Sequence, residues 1–410
     1  MEVANYYVQR GGQVCATFLD LSKAFDKCLF DKLFEKMLGK GIPPIIVRSL
    51  VYAYQEQRGW VRLAGKDSEE FTLTNGTRQG SVLSPYLFSA CYLDDLFVEL
   101  RRHHLGCHIA GVWVGATGFA DDLALLAPNR DVLQRMILIC EKYGAEHNLQ
   151  FSTDPVPAKS KTKSMFFSGK RSRIQYPAPV VLNGKDLPWV ETVDHLGHVI
   201  HQSLTMENDA ARARASFMTR ATDIREQFYF ARPEQRINAI QLYCCDGYGS
   251  MLWDLQSDYA EKYFKAWNVQ SRLAWNVPHD THTYLVEGYF CAGFTSLRNQ
   301  IHGRYSKFIQ KLFNSPSKEV MFMINLVYSD ARSPTCNNIK FLSVRSGLDI
   351  MKTASWKVKS LLPVQCVPQH EQFRIGLLNI LLETKYCKSF ATLNIDLTQC
   401  NAMITSLCNS

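Results

Sequence analysis

Two adjacent aspartates, Asp121 and Asp122, lie between two apolar stretches at residues 109–114 and 123–127. This pattern predicts a β-hairpin with both acids at its turn. Two carboxylates about 4 Å apart repel each other by roughly 4 kcal/mol at an effective dielectric constant near 20. A divalent cation removes that repulsion, and Mg²⁺ prefers a few carboxylates together with water and phosphate. A solvated surface turn is the alternative interpretation, because an Asp-Asp pair by itself is common.

A second acid, Asp20, ends an apolar stretch at residues 14–19 that predicts a buried strand. Residues 21–27 follow with helical spacing. An acid at the end of a buried strand is well placed to bind a ligand. Asp is also a preferred helix cap, so a capping role is an equally open interpretation of Asp20 alone.

A glycine-containing loop at residues 75–85 precedes an apolar helix predicted at residues 86–100. Glycine lets the backbone approach a ligand closely, and the N–H groups of a helix N-terminus favour phosphate. Loops of this composition are more often simple turns. Asp94 and Asp95 fall within the helix, where we interpret them as its polar face and not as a metal site.

The rest of the sequence predicts a mixed first half and a helical second half. The spacing of apolar residues predicts helices at residues 30–38, 45–54 and 131–147, and a helical region from 207 to about 276. Pro233 caps the second helix of this region, and the third is predicted at Asp258–Trp275. Two further helices are predicted at residues 296–313 and 371–382. Short strands are predicted at residues 149–151 and 193–200, and a hairpin pairs residues 60–63 with 70–73.

A basic run follows the Asp121–Asp122 segment without an intervening acid. Such runs are usually solvated, but one beside a metal site can contact a phosphate backbone. The run consists of Lys159, Lys161, Lys163, Lys170, Arg171 and Arg173.

Length and composition indicate an intracellular globular protein of two or three domains. The chain has 410 residues and a net charge of +8, which favours a polyanionic partner. Its 13 cysteines are odd in number and lack the spacing of a zinc site, which predicts reduced, mostly buried thiols. No signal peptide or membrane-length apolar stretch occurs, so we expect the chain in the cytoplasm, the nucleus or both.

Three features occur in a fixed order: the strand that ends in Asp20, the loop Gly76-Thr77-Arg78-Gln79-Gly80, and the segment Phe119-Ala120-Asp121-Asp122. This order resembles the palm of the reverse transcriptase of non-LTR (LINE-type) retrotransposons over residues 13–200, and less specifically to about residue 290.

The resemblance implies an α+β fold in which a polymerase palm, an antiparallel sheet backed by helices, precedes an α-helical thumb and a mainly helical C-terminal region. The expected domains are residues 1–200, 201–290 and 291–410.

The resemblance also implies a two-metal site. Asp20 and Asp121 are expected to bind two Mg²⁺ ions, or Mn²⁺, with Asp122 beside them and the Leu21 carbonyl completing the ligand set. One ion would activate the primer 3′-hydroxyl and the other would hold the leaving pyrophosphate.

Further roles are implied for the residues around this site. Phe25 matches an aromatic gate against the ribose 2′-hydroxyl, and Lys161, or alternatively Lys163, matches a proton donor to pyrophosphate. The Leu196-Gly197 pair resembles the primer grip, where His195 replaces the commoner aromatic residue. The residues expected against the incoming nucleotide are Arg78, Gln79 and Gly80.

The implied function is RNA-directed DNA polymerase activity, with an RNA template, a DNA primer and dNTPs as partners and no membrane. The first alternative is a catalytically silent remnant that still binds nucleic acid. A second is another Mg²⁺ enzyme such as an isoprenoid synthase or a phosphohydrolase, but the only Asp pair in a predicted helix, Asp94–Asp95, stands alone. Phe25 argues against an RNA-dependent RNA polymerase.

Only 19 residues precede Asp20, where the family has a fingers region. We therefore expect a polyprotein fragment, a truncated gene model or a decayed copy that lacks most of the fingers. Such a chain is expected to bind primer-template and extend it feebly, because the fingers clamp the triphosphate.

Overall fold

The computed structural model describes residues 1–78, 80–153, 160–169, 175–283, 286, 291 and 294–346, and within them the chain has an α+β fold. The chain divides into two units, Met1–Thr205 and a second that begins at Met206. The three expected domains stay a prediction.

The first unit combines short helices with antiparallel strands. Its helices are α1 (Glu2–Val8), α2 (Ala24–Lys27), α3 (Phe30–Gly39), α4 (Pro44–Gln55), α5 (Ser84–Tyr86), a π-helical segment (Leu87–Leu93), α6 (Asp94–Arg102) and α7 (Arg130–Glu146). Its strands are β1 (Val14–Asp20), β2 (Arg58–Gly59), β3 (Arg62–Leu63), β4 (Lys66–Asp67), β5 (Phe71–Thr72), β6 (His108–Ile109), β7 (Val112–Trp113), β8 (Ala116–Phe119), β9 (Asp122–Ala127), β10 (Lys163–Phe167), β11 (Val180–Leu182), β12 (Lys185–Leu187), β13 (Thr192–His195) and β14 (His198–His201).

The main sheet has the strand order β10-β1-β9-β8, and its three strand pairs are antiparallel. Every residue of β1 before Asp20 is buried, because both faces of the sheet are covered. Cys15 and Leu19 face one core and Val14, Ala16 and Phe18 face the other, as the two-residue period of a strand requires. Strand β1 is therefore buried up to its last residue, which is an acid, and its one buried polar side chain before that, Thr17, is hydrogen-bonded to the Ser164 hydroxyl.

The first core is closed by helices and the second by α1 and the β13–β14 hairpin. Buried side chains of α3, the π-helical segment, α6 and α7 pack with the Cys15 face of the sheet. Ala4, Val193 and Ile200 pack with the opposite face. The Asn129 side chain caps α7 by accepting a hydrogen bond from the Val132 N–H.

Two predicted hairpins differ from those in the structure. Residues 109–114 do not pair with 123–127; β8 is the partner of β9, while β6 and β7 form a small hairpin of their own. Gly111 has a φ of +82° and turns the chain back at that point, which the apolar pattern did not reveal. The hairpin predicted for residues 60–63 and 70–73 is two short ladders, β2–β5 and β3–β4. Of the strand predicted at residues 149–151, only Phe151 forms a bridge, to Leu21.

Gly106 and Gly115 bring the β6–β7 hairpin directly against the edge of the main sheet. A Cβ on Gly115 would lie 2.8 Å from the Gly106 Cα and 2.9 Å from the Leu105 carbonyl oxygen. Cys107 donates its N–H to the Leu126 carbonyl, and the Leu126 N–H donates to the Gly115 carbonyl. These contacts leave no room for a side chain at Gly115.

We expect Gly115→Ala to lower the free energy of unfolding by about 1–3 kcal/mol, because the methyl group meets backbone atoms. Gly39→Ala is the matched control, since no atom lies within 4 Å of its ideal Cβ and it ends α3. It should be neutral or stabilise by up to about 1 kcal/mol. Urea unfolding of both variants measures the difference, and equal stabilities would show that the Gly115 contact relaxes at no cost.

His147 provides a pH-dependent contribution to the stability of the first unit. Its ring stacks on Tyr143 at 3.9 Å between centroids, and burial lowers its pKa below the ordinary 6.5. A neutral folded-state imidazole binds fewer protons than the unfolded chain does at mildly acidic pH. The stabilisation is therefore present above pH 6.5 and is lost as the pH falls through the lower folded-state pKa.

We expect His147→Phe to reduce the loss of melting temperature between about pH 7 and about pH 5, because the ring stays but no longer titrates. His279→Phe replaces an exposed histidine in the second unit and should leave the wild-type pH profile unchanged. Thermal melts across this range provide the measurement. The same slope in wild type and His147→Phe would contradict the assignment to His147.

The second unit is helical in its described residues. Its elements are α8 (Glu207–Gln227), α9 (Pro233–Cys244), a 3₁₀ turn (Ser250–Leu252), α10 (Asp258–Trp275), α11 (Leu297–Phe313), α12 (Lys318–Ser329) and α13 (Pro334–Ser346). Trp253 and Trp267 are fully buried, and the Trp253 indole donates to Asp209 at 2.9 Å. The helix predicted at residues 371–382 lies outside the described residues.

The nine cysteines in the described residues are all free and buried, as expected for reduced thiols. Burial raises the pKa of several of them, including Cys15 and Cys107 to about 12. Thiols with pKa values this high are poor nucleophiles at neutral pH. The remaining cysteines lie outside the described residues.

Candidate active site

The strand pairing brings two of the predicted acids side by side. Asp20 at the end of β1 is the direct partner of Asp122 at the start of β9, although about a hundred residues separate them. Asp20 donates its backbone N–H to the Thr162 hydroxyl at 3.2 Å, and its carbonyl accepts from the Ser152 N–H at 2.8 Å. Hydrogen bonds thus fix the Asp20 backbone on both sides, and its carboxylate lies at the end of β1.

Asp121 lies in the two-residue turn between β8 and β9, in which Phe119 pairs with Asp122. Ala120, the other turn residue, has a φ of +55°, a left-handed conformation that residues with a Cβ adopt only under strain. The ring of Phe119 is 69% exposed, so the turn projects from the sheet. The hairpin therefore holds Asp121 beside Asp122 by backbone geometry.

The carboxylates are incompletely compensated. Burial raises the pKa values of Asp20 and Asp122, and repulsion from Asp121 adds to both shifts. Lys161 opposes these shifts, but its Nζ lies 3.9 Å from the Asp20 Oδ2 and its side chain is 74% exposed. Partly buried oxygen ligands whose repulsion remains uncompensated suit a hard divalent cation.

The segment before β10 is fixed next to these acids. The buried Ser160 hydroxyl donates to the Thr162 carbonyl at 2.9 Å, and Thr162 in turn accepts the Asp20 N–H. Lys161 lies between these two residues, and Lys163 begins β10. The other basic residues of the run, Lys159, Lys170, Arg171 and Arg173, lie outside the described residues.

A cavity of about 350 Å³ adjoins the carboxylates. Its walls include Asp20, Asp122, Lys161, Lys163, Asp194 and His195. Asp121, at the projecting turn, is not one of its walls. The cavity therefore connects the acids on the sheet with the β13–β14 hairpin.

His195 enters this cavity from β13. Its ring packs on Phe18 at 4.8 Å between centroids, and burial lowers its pKa. Leu196 and Gly197 form the two-residue turn of the hairpin, both at positive φ, +49° and +76°. This turn is the segment that resembles the primer grip.

Arg78 and Gly80, which are expected to contact the nucleotide, lie on a loop that does not line the cavity. This loop is hydrogen-bonded to the backbone of Phe25. The Phe25 carbonyl accepts the Thr77 N–H at 2.6 Å, and Gly76 packs on the backbone of Asp26. Arg78 and Gly80 are exposed, and neither lines the cavity. Gln79 lies outside the described residues. Leu21 is buried, and no contact of its carbonyl supports or contradicts the role predicted for it.

Two site features escaped the sequence interpretation. Asp194 lines the cavity, and the Ser160–Thr162 segment fixes the position of Asp20. The only signal for Asp194 was its position next to His195. Asp94 and Asp95 form ion pairs with Lys40 and Lys36, in agreement with their interpretation as a polar helix face.

In the part of the chain that the structure describes, no group of three or more His, Cys, Asp or Glu side chains is arranged to hold a metal ion. None of the described helices is long and apolar enough to cross a membrane.

Comparison with known proteins identifies the domain that contains this geometry. Residues 2–200 match the family described as reverse transcriptase (RNA-dependent DNA polymerase). This segment is a reverse transcriptase domain. It contains the main sheet, Asp20, Asp121, Asp122 and the β13–β14 turn.

Similar proteins confirm the resemblance to non-LTR retrotransposons. The chain is 29% identical over 157 residues to a Pol polyprotein of the type-1 retrotransposable element R2 from Nasonia vitripennis, which covers 38% of this chain and 15% of the relative. It is 31% identical over 119 residues to the Pol polyprotein of element R2DM from Drosophila melanogaster, over 29% of this chain and 11% of the relative. The matches thus span less than a fifth of each relative.

Among solved structures, the chain has a weak similarity to a telomerase from Candida albicans in complex with a fragment of telomeric RNA. The match covers 80% of this chain and 53% of the telomerase chain, at 10% identity and a TM-score of 0.32.

We expect Asp20→Asn to stabilise the first unit by about 1 kcal/mol without divalent cations, because it removes one of three repelling charges. MgCl₂ should raise the melting temperature of the wild type more than that of this variant. Thermal melts with and without the salt measure both effects.

The exposed Asp186 of β12 provides the control, since Asp186→Asn should change neither melting temperature nor salt response. A large destabilisation by Asp20→Asn would show that the carboxylate makes a stabilising contact.

Proposed function

We propose that this chain is an RNA-directed DNA polymerase module of a non-LTR retrotransposon, which extends a DNA primer with dNTPs on an RNA template. The supporting observation is the pairing of Asp20 with Asp122, with Asp121 at the adjoining turn, in a domain that matches the reverse transcriptase family. Carboxylates that meet at the same end of two neighbouring strands can serve the two-metal mechanism of phosphoryl transfer.

Asp20 and Asp121 would hold two divalent cations, Mg²⁺ or Mn²⁺, with Asp122 and the Leu21 carbonyl as additional ligands. These oxygen donors fit Mg²⁺, which usually keeps water and substrate phosphate in its remaining positions. When bound, the cations activate the primer 3′-hydroxyl and stabilise the charge on the leaving pyrophosphate.

Other residues of the chain bind and orient the reactants. Lys161, or Lys163 on the same wall of the cavity, donates a proton to the pyrophosphate. Phe25 excludes a ribose 2′-hydroxyl from the nucleotide, and the turn with His195 holds the primer end. The loop residues that bind the nucleotide are Arg78, Gln79 and Gly80.

A catalytically silent protein that binds nucleic acid is the second candidate. The observation that favours it is the net charge of +8, which suits a polyanionic partner whether or not the carboxylates are catalytic.

We expect Asp121→Asn to reduce Mg²⁺-dependent primer extension by at least about a hundredfold, because it removes a charge that holds the cations. Affinity for the primer-template should change little, since Lys and Arg contacts to phosphate dominate it, and it should fall steeply with salt. Primer extension and fluorescence anisotropy measure the two quantities.

Asp186→Asn is again the matched control and should extend primers like the wild type. Binding by a wild type that extends no primer would establish the silent candidate. Parallel losses of affinity and rate in Asp121→Asn would indicate a folding role for Asp121.

A further inference from the structure

The helical stretch from Ser84 to Arg102 changes from α-helical to π-helical hydrogen bonding and back again. α5 leads directly into the π-helical segment Leu87–Leu93, and α6 continues from Asp94. A π-helical segment is rare, is less favourable than α-helix, and frequently occurs at functional sites. Its sequence, Leu-Phe-Ser-Ala-Cys-Tyr-Leu, contains no proline or glycine that would explain the change. The cause must therefore lie in contacts with other elements.

Tyr92, in the last turn of the π-helical segment, makes such contacts. Its carbonyl accepts the Tyr143 hydroxyl from α7 at 2.5 Å and the Lys36 Nζ from α3 at 3.3 Å. Lys36 also donates to the Tyr143 hydroxyl at 2.8 Å and forms an ion pair with Asp95 at 2.6 Å. The change of register disturbs the i→i−4 hydrogen bonds near its ends, so a carbonyl there can accept side-chain donors.

These donors are themselves buried. The Lys36 side chain is 10% exposed, and Tyr92 and Tyr143 belong to the core. A buried ammonium group needs several partners, and removing it leaves a carbonyl and a hydroxyl short of hydrogen bonds. The network therefore favours the π-helical register over a regular α-helix.

The π-helical segment supports Phe25. The fully buried ring of Phe88 packs on Phe25 at 5.0 Å between centroids, and stacks on Tyr92 at 6.1 Å on its other side. The Tyr92 hydroxyl accepts the Leu29 N–H at 3.2 Å, which ties the chain just after Phe25 to the same residue. A shift to α-helical register would rotate Phe88 relative to Tyr92 and remove the support under Phe25.

We propose that Lys36 and Tyr143 are positioning residues for sugar selection: through the Tyr92 carbonyl they hold the π-helical register that keeps Phe88 beneath Phe25. This inference rests on the proposed function, in which Phe25 excludes the ribose 2′-hydroxyl. Lys36 and Tyr143 do not line the cavity beside the carboxylates, and in this proposal they act by limiting how far the Phe25 ring can move. A purely structural role for the network would instead affect deoxyribonucleotides and ribonucleotides equally.

The test uses Lys36→Met and Tyr143→Phe in the full 410-residue chain, with kcat/KM measured for a dNTP and the matching rNTP on one primer-template. We expect the ratio of kcat/KM for the dNTP to kcat/KM for the rNTP to fall by about threefold to tenfold, because the rNTP is used better. A change of this size is typical of the loss of one or two hydrogen bonds. Phe25→Ala is the reference and should lose more of the preference. Tyr143→Phe keeps the ring, so it tests the hydroxyl even if Lys36→Met folds poorly.

Lys40→Met is the matched control. Lys40 lies one turn further along the chain, just after α3. Its Nζ lies 2.6 Å from an Asp94 oxygen and 3.4 Å from an Asp95 oxygen, so it pairs with these acids and not with the Tyr92 carbonyl. It should keep the wild-type preference. If Lys36→Met and Tyr143→Phe lose dNTP use and rNTP use equally, this inference is overturned and the proposed function is not. Failure of the wild type to use either nucleotide would overturn the proposed function, and this inference with it.

Discussion

The antiparallel pairing of β1 with β9 is the interaction on which the candidate site depends. Its register places Asp20 opposite Asp122, and a shift by one residue would turn the carboxylates to opposite faces of the sheet. Burial of β1 on both faces favours that register, because Cys15 and Leu19 pack in one core while Val14, Ala16 and Phe18 pack in the other, and a one-residue shift would exchange the two sets. The same packing that stabilises the domain thus positions its acids.

This arrangement carries an electrostatic cost. Burial and mutual repulsion raise the pKa values of Asp20 and Asp122, and Ala120 adopts a left-handed conformation at the adjoining turn. Strain and repulsion of this kind persist only where surrounding structure imposes them. Here the hydrogen-bond ladder and the Ser160–Thr162 segment impose them, which is consistent with a site prepared for cations and phosphate.

The polar network around Tyr92 has a comparable role among the helices that pack on the sheet. It joins α3, the π-helical segment and α7 through a buried lysine and two buried tyrosines. Burial raises the pKa of Tyr92 to about 12 and that of Tyr143 further, so both remain hydrogen-bond donors at any physiological pH. A network of this kind specifies one helix register where apolar packing alone would allow several.

Local patterns predicted much of the secondary structure. Helix α10 has the predicted bounds, and the bounds of α3, α4 and α7 differ from the prediction by one residue at each end or by less, because apolar spacing and caps act within a few turns. The prediction that residues 109–114 form the hairpin partner of β9 was wrong, because Gly111 and the Gly106–Gly115 contact fold residues 108–113 back on themselves. Such backbone contacts leave no periodic signal.

For the site, the sequence by itself determined which acids adjoin the apolar strands and the order of the motifs that identify a reverse transcriptase domain. Tertiary structure alone decided that Asp20 faces Asp122, that Asp194 and His195 line the cavity with them, and that the helix after residue 84 contains a π-helical segment. The physical reason is distance along the chain. Strand register and the contacts of Lys36 and Tyr143 with Tyr92 depend on residues tens of positions apart, whereas sequence patterns report interactions within a few turns.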